Sequence, residues 1–147
     1  ITDPNMTRFI MSLENAVDLV LYAFKNCKQG DIFVQKSSAA TIETLALALK
    51  EIFNAKNKIN IIGTRHGEKK HEILLGREEL FKSIDLGEYY KVPIDNRNLN
   101  YEKYFELGDK PLSSENEYSS KNTNILDKDE LIKVLLSLDY LKELLKD

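Results

Sequence analysis

Lys58-Ile59-Asn60-Ile61-Ile62-Gly63-Thr64-Arg65-His66-Gly67-Glu68-Lys69-Lys70-His71-Glu72 is the stretch whose reading sets the expected fold. Its opening run, Lys58–Ile62, has the length and β-branched content of a buried strand. Gly63 breaks the run, and Thr64–Gly67 form a tight connection into a charged, helix-compatible segment. A strand feeding a helix through such a turn places the turn at the strand's carboxyl end, where α/β folds bind ligands. Arg65 lies in that turn, and its planar guanidinium suits a phosphate or carboxylate gripped by two parallel hydrogen bonds. The first N–H groups of a following helix would add to the pull on an anion. Glu68, three residues on, can accept hydrogen bonds from sugar hydroxyls, so the pair suits a phosphorylated sugar. The same i, i+3 spacing also fits a plain surface Arg–Glu contact.

Working back from this stretch, Thr41 can cap a helix running to about Asn54, with Ile42, Leu45, Ala46, Leu49, Ile52 and Phe53 along one stripe. Before it, Asp31–Gln35 reads as a short apolar strand. Residues 31–62 therefore predict a strand–helix–strand unit with parallel strands. A first helix, about Leu13–Lys25, starts after Ser12 and ends at Lys28–Gly30. Its stripe of Leu13, Ala16, Val17, Val20 and Phe24 is expected to cover the same small sheet. Working forward, a helical stretch is predicted over Lys69–Leu75 and another over Arg77–Ile84. Glu88–Ile94 alternates like a strand, which Pro93 would confine to an edge. Asp95–Ile125 is long, polar and without a dominant period. Asp127 and Glu130 have the spacing of a capping box, and Leu131, Leu135, Leu138 and Leu141 mark a terminal helix, re-capped near Asp139. The expected class is α/β: a small mixed sheet with flanking helices, an α/β lobe over 1–94, and an extension over 95–147 packed on the same domain.

With 21 basic and 24 acidic residues the chain carries a net charge of −3, which gives no footprint for nucleic acid. One cysteine, Cys27, excludes an internal disulfide framework. No apolar run approaches the ~18 residues of a membrane span, and no signal peptide is visible, so a cytoplasmic protein is expected. The opening Ile1-Thr2-Asp3-Pro4 enters directly into patterned sequence without a Met, as a fragment would.

His66 and His71 are the only histidines and stand five apart, off a common helix face, so no metal site is expected. Tyr89-Tyr90-Lys91 lacks the four-residue helical spacing of a dehydrogenase Tyr/Lys pair. No Gly-rich dinucleotide fingerprint occurs. By these residues alone the chain holds half of an active site at most, with no catalytic and no cofactor-binding residue.

The succession ITDPNMTRFIMSLENAVDLVLYAF, GDIFVQKSSAATIETLALALKEIF, IIGTRHGEKKHEILL, YYKVPIDNRNLNYEKYF and NTNILDKDELIKVLLSLDYL resembles, over essentially the whole chain, the C-terminal half of CapD-like polysaccharide-biosynthesis proteins. These are nucleotide-sugar epimerases and 4,6-dehydratases of the extended short-chain dehydrogenase/reductase superfamily. TDPxMTRF and RHGEK carry the resemblance most specifically. It implies a longer enzyme whose N-terminal Rossmann domain binds NAD or NADP and supplies the catalytic Tyr and Lys, with none of these in this chain. The chain would then be the lobe that holds a UDP-sugar. Arg65 and Glu68 match the superfamily's diphosphate and ribose clamp, and Thr7-Arg8 match another substrate-contacting stretch. The full-length enzyme would form a homo-oligomer serving surface polysaccharide synthesis. A stand-alone nucleotide-sugar-binding or oligomerisation module is the alternative.

Overall fold

A computed structural model describes residues 1–94 and 117–146. In chain order the elements are β1 (Thr7–Phe9), α1 (Leu13–Asn26), β2 (Ile32–Gln35), β3 (Ala39–Thr41), α2 (Ile42–Ile52), β4 (Ile73–Leu75), α3 (Arg77–Lys82), β5 (Ile84–Asp85), β6 (Tyr89–Val92), β7 (Tyr118–Ser119), α4 (Lys128–Ser137) and α5 (Asp139–Leu144). The class is mixed α/β, with several short sheets and helices around them. The chain divides into two compact units, each built from separate stretches: Ile1–Leu13, Ser37–Ile73 and Ser119–Asp147 in one, Glu14–Lys36 and Leu74–Tyr118 in the other.

The first unit is organised on β3. β1 pairs with it antiparallel, setting Thr7 opposite Thr41 and Phe9 opposite Ala39. On its other flank Ala39 forms a parallel bridge with Ile125. Alanines at 39 and 40 let these backbones pack closely, and both side chains are buried. α2 follows β3 without a gap, capped by Thr41, whose hydroxyl accepts from the Thr44 N–H at 3.0 Å. Its core side is centred on Ala48, which packs with Ala40, Leu126 and Leu131. Leu45 of the expected stripe packs against this cluster, and the stripe divides there: α4 covers the Ala48 side, while Ala46, Leu49 and Phe53 line an open cleft of about 470 Å³. α4 starts at the predicted capping box: the Glu130 N–H donates to Asp127 Oδ1 at 2.8 Å, and the Asp127 N–H to Glu130 Oε2 at 3.0 Å. The helix breaks at Leu138 and restarts as α5, and Leu131 and Leu141 are buried as the pattern required.

In the second unit β6 is the central strand of a three-stranded antiparallel sheet, between β2 and β5. It ends at Val92, so Pro93 lies just past the ladder and does not confine the strand to an edge. α1 lies on this sheet through Tyr22, which stacks on Tyr89 with ring centroids 4.1 Å apart and meets Phe33 edge-on at 5.6 Å. Asp31 accepts from Lys91 at 2.8 Å with its carboxylate almost wholly buried. The Lys91 ammonium and the Lys28 backbone N–H hold that carboxyl below its ordinary range.

Three further expectations are corrected. Strand 31–35 pairs with β6, antiparallel, and Lys58–Ile62 belongs to no strand, so the parallel strand–helix–strand unit of 31–62 does not form. The helix preceded by a strand is real, but that strand is Ala39–Thr41, an Ala-rich segment too short for its period to show. The predicted helix at Lys69–Leu75 is a bend followed by β4, whose Leu75 is buried. α1 turns Ala16, Leu19, Tyr22 and Ala23 inward, while Leu13, Val17, Val20 and Phe24 are exposed. The helix is apolar over most of its circumference, and one sheet can cover only one side. Residues 95–116 of the polar stretch Asp95–Ile125, and with them the first part of the expected 95–147 extension, lie outside the described residues.

Candidate functional site

The Arg65 turn sits within the first unit, in the long connection between α2 and β4. Gly63 and Gly67 have φ of +85° and +79°, left-handed values that side chains other than Gly, Asn and Asp rarely adopt. Gly67 shares a turn with His66, and Thr64, Arg65 and His66 between the two glycines are exposed. No helix follows, so the turn has no helical N-terminus to add to an anion's attraction, contrary to expectation. A different device holds it. Glu68 Oε2 accepts the Arg65 backbone N–H at 3.1 Å, and the Glu68 N–H returns to the Arg65 carbonyl at 3.1 Å. Glu68 Oε1 accepts from the Thr2 hydroxyl at 2.9 Å. The Arg65 N–H and the Thr2 hydroxyl, followed by the nearby charges of Arg65 and Arg8, hold the Glu68 carboxyl below its ordinary value of 4.5.

The Arg65–Glu68 relation is thus between side chain and backbone, not between two side chains. The Arg65 guanidinium makes no ion pair or hydrogen bond among the described residues. Its five donors are left facing solvent beside a carboxylate that is already tied down.

Arg8 is used differently. Its Nη1 donates to the Thr7 carbonyl at 2.7 Å and its Nη2 to the Lys69 carbonyl at 2.9 Å, while Nε lies 3.6 Å from Glu72 Oε1. The fork is spent on bracing 69–72 against β1. Thr7 is buried, at 6% exposure. Its hydroxyl lies 2.8 Å from His71 Nδ1 and 2.6 Å from the Ser120 hydroxyl. Ser120, wholly buried, also accepts the Glu72 N–H at 2.9 Å. The structure therefore brings all four expected residues into one region of one unit but gives them unlike surroundings: Arg65 exposed, Glu68 holding the turn, Arg8 and Thr7 holding the framework.

Sequence reasoning missed His71, Ser120 and Thr2. Thr7 and Ser120 stand 113 residues apart, and nothing local in a Tyr-Ser-Ser run announces such a partner. His71 carried a signal only as a possible ligand. Among the described residues no three His, Cys, Asp or Glu side chains gather as a metal site. Among the described residues α2 springs directly from β3 with no glycine between them, and Gly30, Gly63, Gly67, Gly76 and Gly87 stand singly.

Residues 1–94 match the family model for polysaccharide biosynthesis protein, and residues 95–142 match the model for the C-terminal part of polysaccharide biosynthesis proteins. The chain belongs to the polysaccharide biosynthesis protein family. It is 58% identical, over all 147 residues, to the UDP-glucose 4-epimerases of Rickettsia akari (strain Hartford) and Rickettsia bellii (strain OSU 85-389). It is 56% identical to that of Rickettsia felis. In each case the match covers 43% of the relative's length, so the chain spans less than half of these relatives. Among solved structures it is similar to the X-ray structure of Pen from Bacillus thuringiensis, with a TM-score of 0.72 and 28% identity over 93% of this chain and 39% of that one.

Proposed function

We propose that this chain is the UDP-sugar-binding part of a nucleotide-sugar epimerase or 4,6-dehydratase of surface polysaccharide synthesis. The observation that carries the proposal is the Arg65 turn. Glu68 is tied to backbone and to Thr2, the Arg65 guanidinium is left unpaired among the described residues, and relatives at 56–58% identity are named UDP-glucose 4-epimerases. In this reading Arg65 takes the diphosphate in a two-pronged contact. Glu68 keeps spare lone pairs for a sugar hydroxyl, since each of its oxygens accepts one bond from the protein. Thr7 and Arg8 serve by fixing the framework from which the Arg65 turn projects, and residues 1–94 are the binding lobe with 95–147 as an extension packed on it.

The lobe's share of catalysis is orientation: binding energy from the remote nucleotide is used to hold the sugar where it reacts. NAD or NADP, which the family resemblance implies for the longer enzyme, is assigned to no residue of this chain. Titration of the longer enzyme with UDP and with uridine tests the phosphate contact. UDP is expected to bind at least about tenfold more tightly, the gain of one charge-assisted hydrogen bond. Equal affinity for the two would remove the diphosphate from the reading.

A further inference from the structure

Lys58–Ile62 is rich in β-branched residues and lies in no strand, and among the described residues its backbone hydrogen bonds go to one residue. The Ile1 nitrogen donates to the Asn60 carbonyl at 2.8 Å, and the Ile62 N–H donates to the Ile1 carbonyl at 2.9 Å. A residue that donates to one carbonyl and accepts from the N–H two positions further on forms one rung of a parallel ladder. Here that rung sets Ile1 opposite Ile61. Continued by two residues, the same ladder uses the Lys58 carbonyl and the Asn60 N–H. Neither has a partner among the described residues. The side chains along this edge are equally uncovered, with Ile61 and Ile62 at 64% and 65% exposure.

Beside the rung lies the cleft of about 470 Å³, lined by Ile1, Leu49, Phe53, Ile59 and Ile62 among others. Side chains on a strand alternate between faces, so positions two apart share one. Since Ile1 lines the cleft, the residue two positions before it on an added strand would line it as well.

We propose that the open edge of 58–62 is the acceptor for an extended segment running parallel to it and continuous with Ile1 at its carboxyl end. That segment carries an apolar side chain two positions before Ile1, which enters the cleft. Three features select this occupant. The ladder has already begun at Ile1 and needs only to continue. Relatives of this chain hold more than half of their length outside the matched stretch. A second copy of this chain pairing edge to edge about a two-fold axis would arrive antiparallel, which the rung at Ile1 does not accommodate. The pairing is independent of what the Arg65 turn binds, and its test uses no ligand.

Amide exchange on the longer protein supplies that test. The Asn60 amide is expected to exchange at least about a hundredfold more slowly than an unpaired amide, independently of protein concentration. Replacing the residue two positions before Ile1 with Asp, which puts a charge in an apolar cleft, should release Asn60 while amides of α4 stay protected. Rapid exchange at Asn60 would overturn the proposal. So would protection that grows with protein concentration, the mark of a second copy, or protection untouched by the Asp variant.

Discussion

Thr7 and Ser120 show how two small hydroxyls can matter more than a charged side chain. Ser120 accepts the Glu72 N–H and can donate to Thr7, so Ser120→Ala leaves a backbone donor without its acceptor in a buried place. The expected cost is about 2 kcal/mol. Thr7→Val should cost less, about 1 kcal/mol, since Ser120 keeps the Glu72 N–H and the Thr7 carbonyl and half-exposed His71 can turn to water. Chemical denaturation of the two variants checks the order, and a larger loss for Thr7→Val would mean that His71 is held more tightly than its exposure implies. Glu68 makes a second prediction at this scale. Its folded carboxyl titrates below its ordinary value of 4.5, so its stabilising effect is complete above that value and is lost as pH falls through the depressed one. Glu68→Gln should flatten that acid limb, seen as a smaller loss of melting temperature between about pH 5 and pH 3. An unchanged limb would place the acid sensitivity elsewhere.

Gly30 sets the close of α1 and the entry to β2. Its φ is +86°, and a Cβ there would lie 2.6 Å from Ile94 Cδ1. Gly30→Ala adds left-handed strain of about 1 kcal/mol to an overlap that Ile94 must relieve by moving. A lowered melting temperature is expected, partly restored by Ile94→Ala, and an unchanged one would show that the turn adapts at no cost. At the level of elements the sequence was legible wherever a local rule decides the outcome. The Thr41 cap, the Asp127–Glu130 box and the inward leucines of α4 and α5 all stand where spacing put them. It was illegible where pairing decides. Lys58–Ile62 has strand composition but its backbone bonds a single residue among those described, while Ala39–Thr41, with no strand signal, sits between two partners. The Lys69–Leu75 run read as helix because its charges obscure a three-residue strand.

For the molecule as a whole, order along the chain and order in space differ. Each compact unit gathers separate stretches, and the unit that holds the Arg65 turn draws on residues from both family matches, 1–94 and 95–142. That is why the four candidate residues could be named from motifs while their contacts could not. Arg65 and Glu68 are neighbours in sequence and keep their relation, whereas the duties of Thr7 and Arg8 are set by Ser120 and by the carbonyls of 69–70. The central claim is that Arg65 is an anion contact, and UDP titration of the longer enzyme by calorimetry, wild type beside Arg65→Ala, tests it most directly. A charge-assisted contact is worth about 1.5–3 kcal/mol. The variant should therefore bind UDP about ten- to a hundredfold more weakly with its melting temperature unchanged, and Arg65→Lys should recover only part of the loss, since an ammonium cannot make the two-pronged contact. Unchanged UDP affinity in a folded Arg65→Ala enzyme would contradict the account.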